Sequence, residues 1–136
     1  MSGNNGLGDT AGPYRSITCE AQEDISAGDA VAVDQTGSDG RYPKVVQLDN
    51  GSADEDQTAG VATADISSGN NGDVVLSGAV IANVATGVSQ GERLGSGATA
   101  GRFASEDGGH ALMLSNEGGE DRAETNLSAN EAEVFL

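Results

Sequence analysis

The residues most able to carry chemistry in this chain are one His, one Cys, a serine set between glycines and several neighbouring carboxylates. Gly87-Val88-Ser89-Gln90-Gly91 has the G-x-S-x-G spacing, in which a sharp strand-to-helix turn exposes a nucleophilic hydroxyl. Asp107 and His110 follow it in the chain order of a hydrolytic triad. The next residues, Glu92-Arg93-Leu94-Gly95-Ser96-Gly97, are too rich in Gly to make the helix such an elbow requires. The serine therefore reads as part of a Gly-rich turn, and His110 as a structural or surface residue in a strand pattern. Cys19 has no second Cys to pair with, so no intrachain disulfide forms. Its setting, Ile17-Thr18-Cys19, fits a small buried strand residue better than an activated thiol. With one His and one Cys, three-ligand zinc chemistry is not expected. The run from Gly95 to Gly101 lacks both the G-x-G-x-x-G spacing and the Lys of a phosphate loop. Asp54-Glu55-Asp56 and Glu120-Asp121 lack calcium-loop spacing, and hydrated solvent cations are their expected company. The expectation is no catalytic residue, no metal site and no cofactor.

With no reaction centre in view, the elements themselves become the question. The chain has 136 residues, a length that suits one domain. Aromatic residues are only 3% of it, so a core must be built from Val, Ala, Leu and Ile. Each such side chain buries little area, worth roughly 25 cal/mol per Å². The net charge is −16, from 22 acidic and 6 basic residues. Phosphate backbones and anionic membranes would be repelled, so neither nucleic acid nor membrane is an expected partner. Only Lys44 among the basic residues is Lys; the rest are Arg. Abundant carboxylates with almost no Lys suggest a protein adapted to molar salt, where the Debye length falls to about 3 Å. The opening residues have neither a basic n-region nor an apolar h-region, and no apolar run is long enough to span a membrane.

Gly occurs 21 times, a density that punctuates strands and forbids long helices. The Gly/Asn-rich residues 1–13 read as an extended arm, and residues 14–136 as a single β domain. Strand signals follow in order: Ile17 with Cys19, then Val31 with Val33, then Tyr42 to Leu48, which Pro43 confines to a strand start or edge. A turn is expected at 37–40 and an acidic loop from Asp49 to Gln57. Gly60 to Ile66 reads as a further strand. Asp73 to Val84 is the clearest one, with Val74, Leu76, Val80, Ala82 and Val84 on one face and a bulge or bend at Gly78. Leu94, Phe103 and the stretch from His110 to Leu114 mark later strands. Ser128 and Glu131 have capping-box spacing, in a segment too short for a helix. Val134-Phe135-Leu136 is an apolar triplet that must pack on the chain's own core or on a neighbour.

A weak repeat runs through this pattern. Asp24-Ile25-Ser26-Ala27-Gly28-Asp29 recurs as Asp65-Ile66-Ser67-Ser68-Gly69, and more loosely as Val88-Ser89-Gln90-Gly91-Glu92. In each copy an apolar residue precedes a small polar turn closed by a Gly at positive φ. The acid that follows (Asp29, Asp73 or Glu92) is expected at a solvated strand entrance. Irregular spacing excludes a solenoid and favours a small barrel or sandwich of short strands with polar loops.

The order of these pieces resembles the capsid cement, or head decoration, proteins of tailed viruses. Ile25-Ser26-Ala27-Gly28-Asp29-Ala30-Val31 is similar to that family's opening. Gly60-Val61-Ala62, the strand from Asp73 to Val80, and the corner Val88 to Leu94 follow in the family's order. The resemblance spans about residues 24–114. It implies an all-β structural protein on the outer face of a virion, made in the host cytoplasm and bound to the major capsid protein. Such proteins commonly form homotrimers that bridge capsomers, using terminal arms. On that reading Asn4, Asn5, Leu7, Tyr14 and Arg15 would meet the capsid, and Val134, Phe135 and Leu136 would meet sister subunits. The composition adds a haloarchaeal host. The alternative is a turret, spike or cell-surface binding module of a halophilic virus.

Overall fold

The computed structural model describes residues 6–34, 41–51 and 57–136. The turn expected at 37–40, the acids Asp54, Glu55 and Asp56, and the proposed contacts Asn4 and Asn5 lie outside them. Nine strands are present and, among the described residues, no helix: β1 (Thr10–Ala21), β2 (Ala30–Val33), β3 (Lys44–Gln47), β4 (Thr58–Ala62), β5 (Asn71–Asn83), β6 (Arg93–Ser96), β7 (Phe103–Ser105), β8 (Ala111–Met113) and β9 (Glu131–Phe135). The all-β class expected from the Gly-punctuated pattern is the class adopted. β1 is longer than expected and β3 shorter. β1 begins at Thr10, upstream of the first strand signal, and β3 begins directly after Pro43, as its ring requires.

The strand order is β1-β3-β2-β4-β5-β9-β8-β6-β7, and β1 also pairs with β5. Five strands, β1-β3-β2-β4-β5, thus close into a ring, and the rest of the sheet continues from β5. A bridge between Val84 and Phe103 returns β7 to the residue just after β5. The two long strands run antiparallel from Thr10 opposite Val80 to Glu20 opposite Asn71. β9, last in the chain, lies between β5 and β8.

Closure gives the central strands two buried faces. Val31, Val45, Ala62 and Val74 pack with Cys19, Ala21, Ile25 and Ile66 in one cluster. Their strand neighbours Ala30, Ala32, Val46, Val61 and Val75 pack on the other face, with Leu94, Phe103, Met113 and Val134. This double burial explains why these strands read as apolar runs rather than alternations. One expected face assignment is corrected. Val74 and Leu76 belong to the first cluster, whereas Val80, Ala82 and Val84 belong to the second with Val75. The parity changes at Gly78, whose φ is +112°, next to register shifts in the β1–β5 ladder. A Cβ at Gly78 would stand 2.8 Å from both the Pro13 carbonyl oxygen and the Tyr14 Cβ, so this crossing requires glycine.

The repeated turns are built alike. The Ser26 N–H donates to the Asp29 carboxylate at 2.8 Å, and the Asp29 N–H donates back to the Ser26 carbonyl. The same exchange joins Ser89 with Glu92 and Ser128 with Glu131. Gly6 and Asp9 make a further copy. The third residue of each, Gly8, Gly28, Gly91 or Asn130, has positive φ. Two expectations change here. Asp29 is 5% exposed, because it is a turn partner and not a solvated entrance residue. In the second copy Asn70, not Asp73, occupies the closing position. The first two copies also clasp each other. Ile25 and Ile66 exchange backbone hydrogen bonds, the Asp65 carboxylate accepts from the Ala27 N–H, and the Asp24 carboxylate accepts from the Ser68 N–H.

Candidate docking surface

The residues with catalytic spacing are not assembled into a site. Ser89 is followed by its turn and then by strand β6, with no helix. Its N–H is held by Glu92. Asp107 and the exposed His110 line an open polar cleft of about 420 Å³, with Gln57, Thr58 and Glu106, but Ser89 is not in its wall. Glu92 accepts from the Ser105 hydroxyl; that bond first, and the Ser89 N–H second, hold its carboxyl below its ordinary pKa. Cys19 is buried. Burial first, and the negative charge of Asp73 second, push its thiol up to about 11, so it stays protonated and unreactive at neutral pH. Among the described residues no cluster of His, Cys, Asp or Glu has the arrangement of a metal site.

Three buried carboxylates serve the architecture, and the sequence pattern does not mark them as buried. Asp29 accepts from Gln47 and Asn83 side-chain amides as well as from Ser26, tying β3 and β5 to the turn before β2. Asp121 accepts from the Ala123 and Thr125 N–H groups and so shapes the acidic tail segment. Glu133 is fully enclosed, yet one oxygen accepts from the Arg122 N–H at 2.8 Å and the other from Arg122 Nε at 3.0 Å. The same guanidinium donates to the Ala11 carbonyl at 3.2 Å. The signal in the sequence is faint: a Glu between Ala132 and Val134, and an Arg eleven residues upstream.

The surface offers strand faces. Among the described residues, Tyr14, Ile17, Val33 and Phe135 are the exposed large apolar ones. Tyr14 lies against Gly78, and Gly78 exchanges hydrogen bonds with Leu136, the neighbour of Phe135. Of the residues expected to meet a capsid, Tyr14 and Arg15 stand exposed on β1. Leu7 is half-buried and lies over Gly28, where an added Cβ would be 2.5 Å from its Cδ2. Of the terminal triplet, Val134 is wholly enclosed by this chain's own core and Leu136 packs against it. Phe135, 50% exposed, is the member left to face a neighbour. The difference within the triplet arises because β9 is an inner strand whose side chains alternate between its faces.

The described residues form a closed β ring extended by a second set of strands, an all-β module with exposed apolar residues on its strands. The sequence then places it: the model of the phage cement protein family matches residues 10–127, and the chain belongs to that family. It is a structural protein of the phage capsid. Among solved structures, the chain is similar to the N base of the head fiber gp8.5 of bacteriophage phi29. That likeness has a TM-score of 0.58 at 13% identity, over 91% of this chain and 94% of that one, and it concerns the fold. No curated protein matches the chain.

Proposed function

We propose that this protein decorates the outer surface of a tailed-virus capsid and stabilises the shell by bridging neighbouring capsomers. Membership of the cement family carries this reading, and the exposed Tyr14, Arg15 and Ile17 on β1 supply a contact face. The residues before Thr10 act as an arm that adds contacts, with Asn4 and Asn5 among them. Copies associate as a homotrimer, with Phe135 at the contact between sister subunits. Many weak contacts repeated by capsid symmetry add up through avidity. The net charge of −16 fits a virion of molar-salt surroundings and a haloarchaeal host, with hydrated cations around the acidic loops.

The test is binding to capsids of the encoding virus from which this protein has been removed. Stoichiometric binding that raises the temperature at which the shells rupture is the expected result. Binding without any gain in shell stability would favour a second reading, in which the module is the base of a turret or spike. The fold likeness to a head fiber base favours that rival. Failure to bind capsids would remove both.

A further inference from the structure

β1 is paired on one side along its length and on the other only at its end. It pairs with β5 from Thr10 to Glu20, but with β3 only at Glu20 and Ala21. The Ala21 N–H donates to Asn70 on the β5 side, and the Glu20 N–H donates to Pro43 on the β3 side. Backbone groups alternate sides along a strand, so those of Ser16 and Thr18 face away from β5. Among the described residues no strand covers that edge. Ile17, between them, is 38% exposed, although the next residue on its face, Cys19, is buried in the ring's core. Arg15 is the only charged residue from Thr10 to Cys19, and no carboxylate of the described chain pairs with it. An unpaired strand edge is a ready template for another strand. A free guanidinium beside it favours an occupant carrying a carboxylate.

We infer that the edge of β1 from Tyr14 to Thr18 receives an extended segment of the capsid shell as an added strand. This rests on the capsid-binding reading above. The added strand hydrogen-bonds to the N–H and C=O groups of Ser16 and Thr18, lays an apolar side chain over Ile17 and brings an acidic residue to Arg15. A second copy of this chain is the poorer occupant: its own β1 edge has no acidic residue from Thr10 to Cys19 to set against Arg15. Capsids stripped of this protein are the probe, and hydrogen–deuterium exchange of the peptide spanning residues 14–19 is the readout. On capsid binding, the Ser16 and Thr18 amides should slow about tenfold or more, as newly bonded strand amides do. R15E should weaken binding about tenfold or more, while R15K keeps part of it. Full binding with unchanged exchange at Ser16 and Thr18 would overturn the edge and leave decoration standing. Slowing that appears without capsids, together with a doubled mass, would overturn it in favour of a second copy. No binding to capsids would remove the decoration reading and the edge with it.

Discussion

The Arg122 guanidinium joins the buried Glu133 carboxylate of β9 to the Ala11 carbonyl of β1. The Glu133 carboxylate has no water to turn to, and Arg122 bonds to both its oxygens. Replacing Arg122 with Ala removes one of those bonds and the contact to Ala11, and leaves a buried charge less satisfied. The expected loss is about 1–3 kcal/mol, read as a lower thermal midpoint, with E133Q milder than E133A. Two other residues add a pH dependence of opposite sign. Cys19 carries a proton up to about pH 11 when folded, against an ordinary value of 9.0. The folded state therefore holds more protons in that window, and stability falls as pH rises through it. Cys19→Ala should flatten that alkaline decline in unfolding curves. Glu92 behaves oppositely: its lowered pKa gives stability that is present above the ordinary carboxylate range and lost as pH falls below it. Glu92→Gln should lessen the acid dependence. That Cys19 is a buried strand residue was legible in Ile17-Thr18-Cys19. The burial of Glu133 was not, because alternation in Glu131-Ala132-Glu133-Val134 suggests one wet face, and only a strand enclosed on both sides makes it dry.

At the scale of elements, Gly78 is where β5 changes its allegiance from one core to the other. Gly78→Ala places a Cβ against the Pro13 carbonyl at a φ of +112°, and should cost more than the about 1–2 kcal/mol of the backbone conformation alone. Gly69→Ala is the control: its φ is +86° but nothing lies within 4 Å of the added carbon, so only the backbone cost of about 1–2 kcal/mol remains. Denaturant midpoints of the two variants should differ in that order. A bend at Gly78 was legible from a Gly inside an apolar run. The change of parity was not, since period-two reading assumes an unbroken ladder. The repeat was legible too, as Asp-Ile-Ser followed by a Gly turn. Its consequence, Asp24 and Asp65 each gripping the other copy's turn, depends on two segments about forty residues apart in the chain, which no local pattern encodes.

At the scale of the whole molecule, the core is made of small side chains and the surface is strongly acidic. Self-repulsion should loosen the protein in dilute buffer and ease as salt reaches about 1 M, where the Debye length is about 3 Å. The thermal midpoint should therefore climb with KCl concentration; a flat response from dilute to molar salt would count against adaptation to brine. The class of fold was legible from Gly spacing and short apolar runs, whereas the order of strands was not, because many orders satisfy the same runs. β9 shows why that order matters during synthesis. It is made after the other eight described strands, yet β5 on one side and β8 on the other both need it. A nascent chain thus carries two bare edges, and β6, β7 and β8 lack their main attachment to the ring until residues 131–135 emerge. A chain released without β9 would keep both edges open and should be a ready substrate for proteolysis.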